Sequence, residues 1–566
     1  MMTRNQSLAG QAIRRKLFNL ARLPLALCFI GVGLEGAFAA QTATLALSGE
    51  AAPDGNGVYS NFSFVQTLNA NGEVAFICEF TGTQSPATDS RGICLASTTS
   101  VKRLVHIGET VPDGNGTFNH FSSNFDQQEF VFLNDNGTVA FMAGLNGTSG
   151  GEADNFGSFR ASAIGGVTQF VRAGDSAPDG NGIFASGDSG LSQLGLDNNN
   201  AAMFHGRFVN TSGGEYVDDS GVFRSDGNTI SRLIRAGETV PGSTDTFEEI
   251  PPVIASNLNG QVAASVRLTF DFTGDPPGPD LQRIYVHTGG VLNEIFRGGT
   301  PVPDGNGIVK NAYDFSTNIN GNVIFIGNAS DTGDYRLDVP RLFITDGVTL
   351  KQIAQQNQLP PGEQTPQGEL PFRFGGFYNK INRDSNAADK VAFSMTLERN
   401  LAPPDNRSSG IYLGDGDTTK LILHEGDPLP GGNGTFGDID VPLFFNNNGA
   451  IAFSAPLLGT ADPVEDIRGI FYIGSNGVVQ TVARYGMPLA GSTIRGTMFI
   501  GEVVDIPGQL QEPGSVTNLA GMDAINDAGQ VVFRALLADG RFGVFLWNAS
   551  DEPPPDDETI YADGFE

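Results

Sequence analysis

Short apolar runs alternate with polar, glycine-rich turns along the whole chain after position 40. The runs are rich in Val, Ile and Phe, which strands favour, and none has the 3.6-residue spacing of an amphipathic helix. Hydrophobic residues make up 39% of the chain, which is enough for a packed core despite 75 Gly and 31 Pro. The pattern predicts an all-β protein.

One turn recurs eight times between these runs and has the consensus Asn-x-x-Gly-x-x-Ala-Phe. Asn-Gly pairs tolerate the positive φ that tight hairpins need, so each copy predicts a turn between two strands. Two further strands and a Pro-Gly loop follow before the next copy. Four antiparallel strands repeated in this way are the blade of a β-propeller. The copies lie at 68–76, 133–141, 196–204, 257–265, 318–325, 384–393, 445–453 and 525–533.

The two ends of the chain predict how the blades close into a ring. The last copy has three strands and then a Pro-rich tail, so its fourth strand is missing. Residues 42–48 have the pattern of a fourth strand with no strands before it. We expect this segment to complete the last of eight blades, because closure removes the exposed strand edge of an open array. Seven blades with one irregular insertion is the alternative.

The sequence divides into a leader at 1–39, a single propeller at 40–548 and an acidic, Pro-rich tail at 549–566. The leader has several basic residues, the apolar core LPLALCFIGVGL and the small-x-small sequence AFA, a combination typical of a cleaved signal peptide. No long apolar span follows, so we expect no transmembrane helix after cleavage. These features predict an exported protein.

The composition is strongly acidic, with 63 Asp and Glu against 33 Lys and Arg and a net charge of −30. Phosphate groups demand a basic surface, so a nucleic-acid partner is strongly disfavoured and cations or basic partners are favoured. Cys78 and Cys94 are the two cysteines beyond the leader. An even number in an oxidising compartment predicts one disulfide between them, with two buried free thiols as the alternative.

The turn consensus resembles that of the choice-of-anchor tandem repeat NxxGxxAF-containing proteins, a family of exported bacterial repeat proteins. Asn69, Gly72, Ala75 and Phe76 match it in the first copy. Other copies depart from it at Ala264, Ile324 and Val532. The resemblance covers nearly all of the chain beyond the leader. It implies a secreted or cell-surface protein, with the periplasm as an alternative, and it implies no activity.

A second motif, Pro-Asp-Gly-Asn-Gly, connects one blade to the next. In a propeller these inter-blade loops share a face with the long variable loops between second and third strands, and the Asn-x-x-Gly turns lie on the opposite face. The inter-blade loops are 52–57, 111–116, 177–182, 302–307 and the looser 429–434. Binding usually belongs to variable loops on a rigid frame. The acidic residues expected to bind there are Asp218, Asp219, Asp275, Asp280, Asp331, Asp334, Asp338, Glu465 and Asp466.

Calcium binding is one interpretation of the inter-blade loops. Ca²⁺ takes six to eight oxygens from carboxylates, carbonyls and water, and the aspartates Asp54, Asp113, Asp179 and Asp304 each offer a carboxylate. One carboxylate per loop is few, and the dense D-x-D spacing of strong calcium loops is missing. Pro-Asp-Gly is also a good turn sequence by itself. The favoured interpretation is an architectural turn, and Ca²⁺ is the one cofactor that the sequence suggests.

No arrangement of residues in the sequence predicts catalysis. His106 and His424 stand two residues before a Gly, where other copies carry arginines such as Arg172 and Arg235. An acidic residue often follows that Gly, so the spacing favours a structural ion pair over a catalytic base. The motif His-Glu-x-x-His does not occur.

Together these features favour a monomeric, non-catalytic exported propeller. We expect it to present its acidic loops to a protein or to a component of the cell envelope or matrix. One alternative is a calcium-dependent hydrolase or lyase that uses acids from several blades around the central channel. Another is a structural surface protein that associates with itself.

Overall fold

Eight antiparallel sheets follow one another along the chain, and we number them as blades I to VIII. They form an eight-bladed β-propeller, which confirms the predicted fold class and the predicted number of blades. The predicted signal peptide and the tail beyond residue 550 lie outside the described residues and stay predictions. The computed structural model describes residues 42–121, 131–186, 190–215, 217–251, 253–268, 282–331, 333, 338–361, 373–375, 383–398, 407–439, 443–498 and 523–550.

Strand β1 (Thr42–Leu47) precedes blade I in the chain. Blade I contains β2 (Val58–Leu68), β3 (Val74–Thr81), β4 (Arg91–Ala96) and β5 (Val101–His106). Blade II contains β6 (Thr117–His120), β7 (Val131–Leu133), β8 (Thr138–Asn146), β9 (Phe156–Ser162) and β10 (Gly166–Arg172). Blade III contains β11 (Ile183–Phe184), β12 (Leu191–Leu196), β13 (Ala202–Val209), β14 (Ser220–Ser225) and β15 (Ile230–Arg235). Blade IV contains β16 (Phe247–Glu249), β17 (Ile254–Ser256), β18 (Val262–Leu268), β19 (Gln282–Thr288) and β20 (Val291–Arg297).

The second half of the ring has the same plan. Blade V contains β21 (Thr300–Pro301), β22 (Ile308–Thr317), β23 (Val323–Ser330), β24 (Pro340–Thr345) and β25 (Leu350–Gln355). Blade VI contains β26 (Arg373–Phe374), β27 (Arg383–Ser385), β28 (Val391–Glu398), β29 (Arg407–Gly414) and β30 (Thr419–His424). Blade VII contains β31 (Thr435–Phe436), β32 (Leu443–Phe445), β33 (Ile451–Leu458), β34 (Arg468–Ile473) and β35 (Val479–Arg484). Blade VIII contains β36 (Pro488–Leu489), β37 (Ser492–Met498), β38 (Gln530–Leu537) and β39 (Phe542–Asn548).

Within the described ranges two helical segments lie in the loops, α1 (Pro86–Asp89) and the 3-10 turn Gly151–Ala153. Both are only four or three residues long and belong to the variable loops of blades I and II. None of the helices in the described ranges is long and apolar enough to cross a membrane.

The innermost strand of several blades consists of two short pieces. In blade II both β6 and β7 pair with β8, and in blade III both β11 and β12 pair with β13. The sequence pattern predicts only the second piece, the apolar run before the Asn-x-x-Gly turn. The first piece was missed because four residues in β6 and two in β11 are too few to show a period.

The N-terminal strand closes the ring as the sequence predicts. Strand β1 pairs antiparallel with β39, with Thr42 opposite Trp547 and Leu47 opposite Gly543. Leu45 is buried in the apolar cluster between blades VIII and I. Trp547, the chain's single tryptophan, is also buried, and its ring lies 5.3 Å from that of Tyr472 in blade VII. The last blade therefore takes its outermost strand from the opposite end of the chain, and no outer edge of β39 is left open.

The hydrophobic core lies between the blades. In β3, Phe76 belongs to the cluster shared with blade VIII, whereas Ile77 belongs to the cluster shared with blade II. Successive side chains of a strand point to opposite faces of the sheet. A strand held between two neighbouring blades is therefore apolar on both faces, which explains runs such as VAFICEF that show no polar alternation.

Cys78 and Cys94 form a disulfide, as the sequence predicts, and it joins β3 to β4 within blade I. The two cysteines are fully buried and lie in the apolar cluster that also holds residues of β1. The bridge therefore ties together the blade against which the closing blade packs.

The Asn-x-x-Gly turns form a belt of hydrogen bonds around one face of the propeller. In blade I, Asn69 Oδ1 accepts the backbone N–H of Asn71 at 3.0 Å and of Glu73 at 2.9 Å. Its Nδ2 donates to the carbonyl oxygen of Asn134, in the turn of blade II, at 3.0 Å. One asparagine thus shapes its own turn and holds the next. A buried donation to the next turn's backbone is also made by Asn134, Asn257, Asn318, Asn446 and Asn526.

The belt is continuous around the ring. Asn526 of blade VIII donates to the Asn69 carbonyl oxygen of blade I at 3.0 Å. Blade III has an aspartate at the asparagine position, and there the backbone N–H of Asn198 donates to the Leu258 carbonyl oxygen at 2.8 Å. Between blades VI and VII, the Ala387 N–H donates to Asn447 Oδ1 at 2.9 Å. Every blade is therefore hydrogen-bonded to the next through its turn.

Replacing one belt asparagine will destabilise the protein. Asn446→Ala removes the donor to the Asn526 carbonyl (2.9 Å) and the acceptor of the Ala450 N–H (2.8 Å), both buried. We expect a loss of about 1–3 kcal/mol, because the partners stay buried without replacement hydrogen bonds. Urea unfolding followed by Trp547 fluorescence measures it. Asn228→Ala, in an exposed turn, is the control. Equal midpoints for the two variants would show that the belt does not stabilise the ring.

Candidate binding face

The inter-blade loops and the variable loops meet on the face opposite the asparagine belt, and we call this surface the loop face. In blade II, Asn115 Nδ2 donates to Asp154 Oδ2 at 2.8 Å, and Asn115 Oδ1 accepts the Ser149 N–H at 2.7 Å. The same bridge joins Asn56 to Asp89 at 2.8 Å and Asn181 to Asp218 at 2.7 Å. The asparagine of the inter-blade loop therefore fastens the variable loop of the same blade.

The inter-blade loops of blades I, II, III and V are tight turns, and each is stabilised by its aspartate. Asp113 Oδ1 accepts the Asn115 N–H at 2.9 Å, and the Gly114 N–H donates to the Val111 carbonyl at 2.9 Å. Gly116 has a φ of +112°, and a Cβ there would lie 2.8 Å from the Asn146 carbonyl oxygen. A side chain at this position would therefore clash with the strand that the loop crosses. This is the physical reason for the second glycine of the motif.

A buried arginine lies beneath the inter-blade loop and binds it through hydrogen bonds. We call such an arginine, paired with the aspartate of the loop, a clamp. Arg172, at the end of β10, donates from Nη1 to Asp113 Oδ2 at 2.8 Å and from Nη2 to the Asn115 carbonyl at 2.8 Å. Its Nε donates to the Asp154 carbonyl at 2.6 Å. The Arg172 side chain is 3% exposed, whereas that of Asp113 is 43% exposed. The cation is thus covered by the loop, and the carboxylate stays at the surface.

Other blades have the same clamp, but its arginine does not always come from the same position of the blade. Arg235 donates from Nη1 to both oxygens of Asp179 at 2.6 Å, in the arrangement of Arg172. In blade V the clamp comes from the neighbouring strand instead, with Arg341 3.0 Å from Asp304. Arg103, in the middle of β5, pairs with Asp54 in blade I.

Blade VII shows how a missing aspartate is replaced. Its inter-blade loop has Gly431 at the aspartate position, and Arg484 still donates to the Asn433 carbonyl at 2.6 Å. Asp466 of the variable loop replaces the missing aspartate as the ion-pair partner, and its Oδ2 lies 2.6 Å from Arg484 Nη2. The buried guanidinium therefore keeps a carboxylate partner, which a buried charge requires.

The predicted calcium ligands do not form a metal cluster. Asp54, Asp113, Asp179 and Asp304 lie in loops of four different blades, and each carboxylate pairs with an arginine. A guanidinium at this distance occupies the position that a cation would need. Over the ranges that the structure describes, no group of three His, Cys, Asp or Glu residues could hold a metal ion. The residues therefore do not fit calcium, and we derive no chemistry through it.

The acidic residues predicted for the variable loops divide into two groups. Asp218, Asp219 and Asp466 turn inward: Asp219 and Asp466 are buried, and Asp218 is half-buried against Asn181. Asp331 and Asp338 are exposed, and Glu465 is half-exposed. Asp275, Asp280 and Asp334 lie outside the described residues. Only part of the predicted acidic set therefore faces solvent.

One aspartate of the variable loops has a structural role that the sequence did not predict, although its spacing is regular; Asp218 and Asp466 were expected only to bind a partner. It stands three residues before a glycine of the third strand. In three blades its carboxylate accepts a hydrogen bond from the asparagine of the inter-blade loop. In blade VII the same position supplies the partner of Arg484. The pairs are Asp89 and Gly92, Asp154 and Gly157, Asp218 and Gly221, and Asp466 and Gly469. The variable lengths of the loops before it concealed this spacing.

The expected ion pair between the arginine position and the acidic residue after the next glycine is wrong in blade II. Asp175 accepts the backbone N–H of Arg172 at 2.8 Å, while the guanidinium points to Asp113. Asp427 likewise accepts the backbone N–H of His424 at 2.7 Å. The His424 ring lies between Ser408 Oγ (3.1 Å) and the Glu425 carbonyl (2.7 Å). The acidic residue therefore closes a backbone turn, and the guanidinium is free to reach the loop above.

The arrangement gives the loop face a layered charge. In blades I, II and V the clamp arginines lie beneath the loops and are nearly inaccessible, and their aspartate partners are nearly half-exposed above them. A ligand that approaches the loops of Asp54, Asp113 and Asp304 meets carboxylates before it meets the clamp guanidinium groups. Asp179 differs, because it is 25% exposed and also contacts Arg232, which is 40% exposed. The layering makes the outer surface of these loops negative even though the charges are paired.

The chain belongs to a protein family of unknown function (DUF7453), whose model matches residues 31–190 and 215–556. Membership of this family brings no activity with it. No curated protein matches the chain.

Several solved propeller structures are distantly similar. The β-propeller domain of the Trilobed protease from Pyrococcus furiosus is 10% identical, with 76% of this chain and 97% of that chain covered and a TM-score of 0.36. An ulvan lyase of polysaccharide lyase family PL25 is 10% identical, with 76% and 95% covered and a TM-score of 0.31. The α-L-arabinanase of Penicillium chrysogenum is 13% identical, with 67% and 99% covered and a TM-score of 0.26. No activity is transferred from these proteins.

The loop aspartates predict how stability depends on pH. Burial alone would raise the pKa of Asp218, but hydrogen bonds from Thr211, Asn181 and the Gly213 N–H, with the charge of Arg235, hold that pKa below its ordinary value of 3.8. The stabilising contribution is therefore complete above pH 3.8 and is lost as the pH falls through the lower, folded-state value.

We expect Asp218→Asn to lower the free energy of unfolding by about 1–3 kcal/mol at neutral pH. The difference from the wild type will shrink as the pH falls below 3.8, the ordinary value of this carboxyl group. Chemical denaturation at a series of pH values measures both effects. Asp417→Asn is the control with the same change of charge, because its side chain is exposed. It lies in the turn between the third and fourth strands of blade VI, and we call the turns at this position of the blades rim turns. A difference that does not vary with pH would contradict the assignment.

Proposed function

We propose that the protein is a non-catalytic binding scaffold that is exported and uses its loop face to recognise a cationic partner. The observation that carries the proposal is the layered charge of the clamps. In blades I, II and V nearly half-exposed aspartates lie at the surface, and the clamp arginines that pair with them are buried beneath the loops. A partner with Lys or Arg side chains can reach the carboxylates without displacing the guanidinium groups.

The rigidity of the face supports a role in recognition. Each described variable loop of blades I to III is hydrogen-bonded to the asparagine of an inter-blade loop. The clamp arginines hold the inter-blade loops from beneath. Loops held in one conformation lose little entropy when they bind. The net charge of −30 would also speed the encounter with a basic partner and would repel polyanions.

Export is supported by two independent features. The first is the leader pattern at 1–39 of the sequence. The second is the Cys78–Cys94 disulfide, because such bridges persist in oxidising compartments. The similarity of the turn consensus to the NxxGxxAF-containing family agrees with a secreted or cell-surface location, and we propose that location here.

The proposal is tested by the binding of a fluorescein-labelled poly-lysine peptide, measured by fluorescence anisotropy. We expect salt-sensitive binding, since exposed charges are screened by added ions. The double variant Asp331→Asn/Asp338→Asn removes two exposed carboxylates of a variable loop. It will weaken binding about fivefold if each carboxylate contributes about 0.5 kcal/mol.

The matched control is Asp226→Asn/Asp417→Asn, which removes the same charge from two exposed rim turns. Asparagine keeps the oxygen that accepts the turn N–H groups at position 226. We expect the control to bind poly-lysine like the wild type. Equal weakening by both double variants would mean that only the net charge matters, and the loop face would lose its assigned role.

A further inference from the structure

The variable loop of blade VII, residues 458–467, carries a cluster of exposed aliphatic side chains. Val464 is 77% exposed, Ile467 55% and Leu458 53%. Ala461 and Pro463, between them, are exposed as well. Elsewhere in the described ranges large exposed aliphatic residues are fewer per loop, with one each in the rim turns that hold Ile164 and Val348. Isolated exposed residues of this kind are ordinary, whereas a cluster on one loop indicates a contact surface.

The loop cannot bury these side chains by folding over them, because it is fixed at several points. Asp462 Oδ1 accepts the N–H groups of Val464 at 3.2 Å and Glu465 at 3.1 Å. The Asp466 N–H donates to the Asp462 carbonyl at 2.9 Å. Thr460 Oγ1 donates to the Asp466 carbonyl at 3.0 Å. The loop is thus a closed turn whose aliphatic side chains point outward.

Contacts with the rest of blade VII hold this turn in place. The Ala461 N–H donates to Asn433 Oδ1 of the inter-blade loop at 2.8 Å. Asp466 turns inward to Arg484, and the Leu457 N–H donates to the Ile467 carbonyl at 2.8 Å. The exposed cluster is therefore presented by the same clamp that organises the loop face.

We propose that the 458–467 loop is the docking site for a polypeptide segment in which aliphatic residues alternate with Lys or Arg. This inference rests on the proposed function and names the partner's chemistry. Every charged residue of the loop is acidic, and Asp466 is already paired with Arg484. Asp462 and Glu465 flank Val464, and Glu465 Oε2 lies a distant 3.9 Å from Arg495. Aliphatic side chains fit the exposed cluster, and cations fit the two flanking carboxylates.

An anionic membrane surface fits the loop less well than a polypeptide does. Its headgroups would meet two carboxylates beside the cluster, on a chain whose net charge is −30. A cationic, aliphatic polypeptide segment satisfies both the apolar and the charged parts of the loop.

The test uses two fluorescein-labelled peptides of equal length, one alternating Lys with Leu and one alternating Lys with Ser. The wild type will bind the Lys-Leu peptide about tenfold more tightly than the Lys-Ser peptide. Val464→Asp/Ile467→Asp will remove that preference, because it removes the aliphatic side chains that contact leucine. Both side chains face solvent in the free protein, so the variant will keep the fold. Ile164→Asp/Val348→Asp, at rim positions with Val348 93% exposed, will keep it. Thermal melts of all variants check that they are folded.

The outcomes separate this inference from the proposed function. Equal binding of the two peptides by the wild type, no binding of either, or no effect of Val464→Asp/Ile467→Asp overturns the docking site. If Asp331→Asn/Asp338→Asn still weakens poly-lysine binding in that case, the acidic loop face stands and only the 458–467 site fails. Sedimentation with vesicles of phosphatidylcholine and phosphatidylserine that depends on Val464 would identify a membrane surface and would also overturn the proposal.

Discussion

Closure of the ring is the constraint on which the rest of this structure depends. A blade has two apolar faces, and each is buried only when a neighbouring blade covers it. An open row of such blades would leave one face and one strand edge exposed at its ends. Pairing of β1 with β39 and the donation from Asn526 to Asn69 remove both ends at once. The apolar runs of the sequence are therefore compatible with this fold only because the ring is complete.

The closed frame lets the other face carry unusual charge. The arginines of the clamps are buried on strands whose positions the ring fixes, so each has a carboxylate directly above it. Arg484 illustrates the point, because its partner changes from the inter-blade loop to Asp466 while the buried guanidinium stays in place. A buried charge must be paired, but the residue that pairs with it can differ from blade to blade.

The sequence revealed what is local and concealed what is built across strands. The Asn-x-x-Gly turns, the blade count and the strand that closes the ring are visible, because hairpin chemistry and hydrophobic runs leave a signal in a few consecutive residues. The clamps are not visible in this way, since Arg172, Arg341 and Arg103 reach equivalent loops from three different strand positions. The inward orientation of Asp218 and Asp466 was missed for the same reason: acidic residues in a variable loop look alike until their partners are known.

The most direct measurement of ring closure is hydrogen–deuterium exchange followed by mass spectrometry on the intact chain. Peptides that cover β1 (Thr42–Leu47) and β39 (Phe542–Asn548) report the two sides of the junction. The account predicts that the amides of β1 engaged with β39 exchange as slowly as those of the inner strands, since their release requires the ring to open. Rapid exchange of β1 while β38 and β39 stay protected would show an open ring and would contradict the account.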